Sequence, residues 1–312
     1  MNSVYSVAAI IATYNSAKFI QRTILSALQQ DYEPIEITVV DDGSTDDTVR
    51  KVERFAPRVR ILHHPNKANL GPAASRNLGI KNTGADLIAF LDHDDMWHPT
   101  KIREQVTIFN NYPDVGLVHT NGYAIDEDDN ILYELLPKDF NEPNQPEAIL
   151  LNCYIKTPSS VIVRRNLLEK VGMFYEGFRL SSDHDLWIRM KEITIFYFLA
   201  NHLLGIREHS TRLSTQGEHA MWKAGFDVLE RAMTRYPYGL RVKRKRLAVL
   251  YYRLGNWDLR NGHYQNAFKN FLSAFNLDPY RSIKVLCGQA ITRILSLGNL
   301  RVNYERRGNR YS

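Results

Sequence analysis

Two hydrophobic periods alternate over the first hundred residues, and the switches between them lay out a repeating order of elements. Residues 4–12 form a continuous apolar run of strand length. Ser16 stands where it can cap the helix AKFIQRTILSALQQ, in which Phe19, Ile20, Ile24, Ala27 and Leu28 recur at helical spacing. Residues 35–40 are a β-branched strand ending at Asp41-Asp42-Gly43, and Thr45 or Asp46 opens a second helix that reaches Phe55. Residues 59–63 read as a third strand, 72–82 as a third helix, and 87–91 as a fourth strand that runs into Asp92-His93-Asp94-Asp95. A strand–helix alternation of this kind predicts an α/β fold with a mainly parallel, doubly wound sheet. Such sheets bind ligands at the carboxyl ends of their strands, where this chain carries Thr13-Tyr14-Asn15, Asp41-Asp42 and Asp92-His93-Asp94.

Beyond Trp97 the pattern is less regular. A helix over residues 100–111, a strand over 115–122, a polar hairpin around DEDDN and a Pro/Asn-rich loop PKDFNEPNQPEA are expected. A strand over 159–163, a short helix over 166–171, and a helix over 185–191 leading into a strand over 194–199 follow. From about Ala220 the pattern is helical, and residues 248–281 fit one 34-residue tetratricopeptide-like unit through Tyr251, Leu254, Gly255, Gly262, Tyr264, Ala267, Phe271, Ala274 and Pro279. A single copy predicts a helical hairpin rather than a solenoid. The expected division is a catalytic domain over residues 1–215 and a helical, basic region over 216–312.

Length and composition agree with a folded two-part protein: 312 residues, 44% hydrophobic and 24% charged. The net charge of +6 conceals a division. Residues 240–312 hold 15 Lys/Arg against 3 Asp/Glu, or +12, which leaves 25 against 31, or −6, for residues 1–239. An acidic front suits a divalent metal and polar small molecules, and a basic tail suits an anionic surface. The two cysteines, Cys153 and Cys287, form no metal or redox spacing, as expected of thiols in a reducing compartment. The first residues show neither a basic leader nor a cleavage site, and the apolar stretch near 193–199 is too short to span a bilayer. The expected location is therefore cytoplasmic, with a peripheral place at the inner face of the membrane if the tail docks there.

No G-x-G-x-x-G follows the first strand and no G-x-x-x-x-G-K-[ST] occurs, which removes the main support for dinucleotide and ATPase readings. Two carboxylates two residues apart just beyond a strand, Asp92 and Asp94, can hold a hard cation beside a diphosphate, although an acidic turn has the same appearance. A carboxylate at Asp42 can accept from a base or ribose, or close an Asx turn. Taken in order, VAAIIATYNSAKFIQRTILSALQQ, IEITVVDDGSTDDT, ASRNLGIKNTGADLIAFLDHDDMWHPTKI and SSDHDLWIRM resemble the family 2 inverting nucleotide-sugar glycosyltransferases over residues 4–215.

The resemblance implies a GT-A fold: a Rossmann-like, mixed but mainly parallel sheet flanked by helices, here followed by an α-helical C-terminal region. It implies a sugar-nucleotide donor, with a UDP-sugar favoured, a Mn²⁺ or Mg²⁺ ion, and a glycan or lipid-linked acceptor in polysaccharide or cell-envelope assembly. Thr13, Tyr14, Asn15, Asp42, Arg76, Asn77 and Asp92 match donor-binding positions; the implied metal residues are Asp94, the direct ligand, Asp92, nearer the ribose and sugar, and His209, which ligates the metal or touches the diphosphate. Asp183 falls at the general base, with Ser182 where the family has Glu; a helix N-cap is the plainer role for Asp183. Arg212 matches a phosphate-neutralising position. A non-catalytic scaffold built on the helical hairpin and basic tail is the competing expectation. For RSIKVLCGQAITRILSLGNLRV, docking on an anionic membrane and packing on a core are both open, and nucleic acid is not expected as a partner.

Overall fold

The computed structural model describes residues 4–212 and 217–283. Cys287 and all but the first three residues of the 281–302 segment lie outside them. The chain divides into two compact units, one formed by Met1–Pro146 with Cys153–Ser210 and the other by Glu147–Asn152 with Thr211–Ser312.

The first unit is built on one nine-stranded sheet. Its opening half is β1 (Val7–Thr13), β2 (Ile35–Asp41), β3 (Arg60–His63) and β4 (Leu87–Asp92), ordered β3-β2-β1-β4 and parallel throughout. β1 is flanked on both sides and every one of its residues is buried, which is why it reads as an unbroken apolar run rather than an alternation. The helices α1 (Ile20–Leu28), α2 (Thr48–Glu53) and α3 (Pro72–Lys81) connect these strands. At Gly79, on α3, a Cβ would stand 2.5 Å from Cγ2 of Ile10, so this helix approaches β1 only without a side chain there.

The sheet then continues antiparallel. After β5 (Met96–Trp97), α4 (Lys101–Asn111), β6 (Val115–Ile125) and β7 (Ile131–Glu134), the strand β8 (Val161–Arg164) inserts between β4 and β6 and runs antiparallel to both. Following α6 (Arg165–Val171) and α7 (Ser182–Lys191), β9 (Ile195–Arg207) lies parallel to β6 and pairs through Leu204 and Gly205 with β5. The longer ladders are thus parallel, and the whole is the mixed α/β sheet expected of a GT-A fold. The core fills from both faces with Ile20, Ile24, Val39, Leu91, Ile102, Phe109 and Ile162, among others.

Three local expectations are corrected. Ser16 does not cap α1, which starts at Ile20 with Phe19 as its N-cap; the Ser16 carbonyl accepts from Phe19 N at 2.9 Å, and its hydroxyl lies 2.5 Å from that of Thr13. The strand expected over 194–199 extends to Arg207, because β6 gives it a partner along that length. Asp183 is not the N-cap of α7: Ser181, in a left-handed conformation, holds that position and Asp183 sits inside the first turn.

The second unit is helical: α5 (Glu147–Leu151), α8 (Glu218–Arg235), α9 (Leu240–Arg260) and α10 (Tyr264–Leu277). α9 and α10 form a hairpin closed through Ala267 and Ala274, with Gly255 letting the Phe271 ring against α9, where an added Cβ would meet it at 2.9 Å.

Candidate functional site

Strand register brings the three polar clusters to one edge. Thr13 pairs with Asp41, and Ala12 with Asp92, so the ends of β1, β2 and β4 coincide. Asn15 takes a left-handed backbone (φ 47°), its Oδ1 accepts from Thr45 N at 2.8 Å, and its own N–H donates to Ser44 Oγ at 3.0 Å. Those bonds stitch the loop after β1 to the loop after β2 and leave Tyr14 43% exposed between them. Asp42 is buried, and its carboxylate accepts from Leu70 N at 2.8 Å and from Gly71 N at 2.9 Å. It therefore fixes the loop that leads into α3, with His64 Nε2 3.6 Å away.

α3 presents Arg76 and Asn77 on its buried side. Arg76 donates to Asp92 Oδ1 at 2.6 Å and lies over the Phe174 ring, while Thr157 Oγ1 donates to Asp92 Oδ2 at 3.0 Å. Both oxygens of Asp92 are thus engaged by protein donors. Asn77 donates to Phe174 O at 2.9 Å and Glu176 Oε1 at 2.8 Å and accepts from Phe174 N at 3.0 Å, which fastens the 174–176 loop to α3.

Asp183, half-buried in the first turn of α7, accepts from His184 N through Oδ1 at 2.8 Å. Burial pushes its carboxyl above the ordinary aspartate range; the Arg76 charge opposes this and the Asp92 charge adds to it. Asp185 plays a different part. It is buried and accepts from Arg189 Nε at 2.8 Å, and Arg189 reaches on to the carbonyls of Val171 and Met173, so this pair anchors α7 to the loop after α6.

Asp94 and His209 come together from β4's end and the segment after β9: Asp94 Oδ2 and His209 Nε2 are 2.9 Å apart, with the Phe19 ring 4.9 Å from the imidazole. A carboxylate oxygen and an imidazole nitrogen at that separation suit adjacent positions on one divalent ion. Among the described residues no three His, Cys, Asp or Glu side chains gather as a ligand set. A carboxylate and an imidazole alone fit an ion that keeps positions for water and phosphate, the usual habit of Mg²⁺ beside a nucleotide. Arg212 is half-buried and belongs to the second unit.

Sequence reasoning missed the support beneath these groups. Asp95, 1% exposed, accepts from Ser159 Oγ at 2.5 Å and from Arg207 N at 3.1 Å, and Thr157 bridges it to Asp92. Arg207 is fully buried and donates to the carbonyls of Asp94 at 3.0 Å and Asp126 at 2.7 Å, with Asp129 Oδ1 2.5 Å from Nη1. The DEDDN hairpin is in turn held by Lys18, just before α1, through its pair with Glu127, and by Arg22 of α1 through its pair with Asp129 at 3.0 Å. The only signals available were a third acidic residue in DHDD and the run Thr157-Pro158-Ser159-Ser160 before β8.

The model of the family described as "Glycosyl transferase family 2" matches residues 8–172. An uncharacterized glycosyltransferase of Rickettsia prowazekii is 30% identical over 221 residues, 67% of this chain and 67% of its own length; a Rickettsia felis relative is matched over only 34% of its length. The Escherichia coli UDP-Glc:alpha-D-GlcNAc-diphosphoundecaprenol beta-1,3-glucosyltransferase is 34% identical over 186 residues, 59% of this chain and 69% of its own. In fold, S. aureus TarS 1-349 in complex with UDP-GlcNAc superposes with a TM-score of 0.61 at 18% identity, covering 89% of this chain and 82% of TarS 1-349. The mannosyltransferase PcManGT of Pyrobaculum calidifontis, in complex with GDP-Man and Mn²⁺, gives 0.59 at 17% identity, covering 92% and 80%.

Proposed function

The chain belongs to glycosyl transferase family 2, and from that membership we propose an inverting transfer of a sugar from a nucleoside-diphosphate donor to a hydroxyl of a lipid-linked or glycan acceptor. The observation that carries the reading is Asp183, a half-buried carboxylate raised in basicity by burial, in the electrostatic reach of the Arg76–Asp92 pair. Its Oδ1 is occupied by a backbone amide, so Oδ2 takes the proton as the acceptor oxygen bonds to the anomeric carbon. The bond from that carbon to the diphosphate breaks, and its electron pair leaves with the nucleoside diphosphate. Arg76 holds Asp92 beside the sugar and ribose, while Thr13, Tyr14, Asn15 and Asp42 shape the nucleotide loops.

Asp94 and His209 would hold a Mn²⁺ or Mg²⁺ ion, with Asp92 beside them, and a bound ion supplies charge neutralisation at the leaving diphosphate. A UDP-sugar is favoured as donor, in keeping with the E. coli relative's name and the UDP-GlcNAc bound to TarS 1-349. The acceptor we favour is lipid-linked, in keeping with that same relative's name, and the reaction we propose runs at the cytoplasmic face of a membrane in cell-envelope polysaccharide assembly. Residues 1–215 carry the chemistry in this reading, and 216–312 serve another role.

Thermal shift of the purified chain against UDP-, GDP- and dTDP-sugars, with and without Mn²⁺, tests the donor site. A UDP-sugar at a hundred times its Kd should stabilise by about 2.7 kcal/mol, in a metal-dependent way that Asp94→Ala abolishes. Metal-independent stabilisation that survives Asp94→Ala would remove the ion from the site, and no response to any sugar nucleotide would remove the donor reading.

A further inference from the structure

The second unit carries a surface that transfer chemistry does not use. On α10, Ala267, Phe271 and Ala274 face α9, whereas Tyr264, Phe268, Leu272 and Phe275 recur at intervals of four, four and three on the opposite side. Tyr264 and Phe268 are each 70% exposed, and Tyr280, just beyond α10, is 81% exposed. An apolar stripe three turns long is a strong departure from a solvated helix face.

Charge gathers beside it. The exposed Arg241, Lys243 and Arg244 occupy the first turns of α9, and Arg244 Nη2 reaches Asn276 O at 3.5 Å, so the cluster lies against the end of α10 that bears Phe275. Residues 240–283 hold nine Lys/Arg against two Asp/Glu. Of these two, Asp258 is buried and accepts from Asn270 at 2.8 Å, and Asp278 accepts from Arg281 N at 3.1 Å. The complement to this surface is anionic. Residues 284–312 are themselves basic, with six Lys/Arg against one Glu, and a second copy brings like charge to like. Neither therefore matches the hairpin's charge.

We propose that the α9–α10 hairpin is a membrane-contact surface, with its aromatic stripe seated among the headgroups and its basic cluster on anionic phospholipid. The proposal deepens the lipid-linked acceptor reading and rests on it for its purpose: docking brings the enzyme to the surface where that acceptor lies.

The test is co-sedimentation of the full chain with vesicles of phosphatidylglycerol and phosphatidylethanolamine, or of phosphatidylcholine alone, at low and high salt. Binding is expected only to the anionic vesicles and should weaken with salt. Arg241→Gln/Lys243→Gln/Arg244→Gln should weaken it roughly a hundredfold, and Phe268→Ser/Leu272→Gln about tenfold or more, both at unchanged melting temperature. Donor stabilisation by UDP-sugar and Mn²⁺, read without vesicles, should be the same in both variants. Loss of that signal in the wild type would strike the donor reading and not this one. Equal binding to phosphatidylcholine, no binding, or undiminished binding by the variants overturns the proposal. So does a lower melting temperature or altered mass in Phe268→Ser/Leu272→Gln, which would mean that the chain itself or a second copy covers the stripe.

Discussion

In the proposed transfer a single carboxylate, Asp183, must be basic enough to accept a proton and yet ionised when the acceptor arrives. Burial raises its proton affinity, Arg76 keeps the charged form accessible, and Asp92 adds repulsion. Because the native state holds this proton more tightly than the unfolded chain does, stability is lost as pH rises from the ordinary aspartate range, near 3.9, through the raised native value. Asp183→Asn should therefore melt above wild type at pH 7, with the difference shrinking toward pH 3 in a thermal scan. The acid limb of kcat should lie above the ordinary aspartate range in the wild type. A wild-type acid limb at or below about 3.9, or a variant that melts lower at pH 7, would mean that the site does not desolvate this carboxylate.

At the scale of elements, the loop after α6 is what brings α3 and α7 into one site. Asn77 fastens that loop from α3, and the Asp185–Arg189 pair fastens it from α7. Asn77→Ala leaves the Phe174 amide and carbonyl without their side-chain partner, and should cost about 1–3 kcal/mol in denaturant unfolding. A neutral result would show that the loop holds without it. The strands β1, β2 and β4 were legible as apolar runs because both faces of each are covered, and their aligned ends followed from the alternation with helices. The insertion of β8 between β4 and β6 was not, since an antiparallel pairing between strands far apart in the chain leaves no local pattern. Ser16 was misjudged for a similar reason: its hydroxyl pairs with that of Thr13 rather than with a helix amide, a choice made by tertiary packing and not by the local pattern. Asp94 could be picked out from the sequence, whereas its approach to His209 depends on β9 running its full length. Nothing local in the sequence marks Arg207 as buried, and only the fold shows it fully enclosed and bonded to the Asp126 carbonyl of the acidic hairpin.

For the whole molecule, the sequence divides into a mildly acidic front and a strongly basic tail, and the basic tail lies wholly in the second unit, which also takes in residues 147–152 and 211–239 of the front. The acidic part holds the sheet edge where Asp92, Asp94 and Asp183 stand; the basic part holds a helical hairpin with an uncovered aromatic face. Among the described residues no helix is long and apolar enough to cross a membrane. The account depends most on Asp183 as the proton acceptor. Its most direct test is the transfer rate of Asp183→Asn beside wild type at saturating donor, with donor affinity measured in the same preparations. The predicted result is a loss of about 10²–10⁴-fold in transfer at unchanged donor affinity; transfer at the wild-type rate would contradict it.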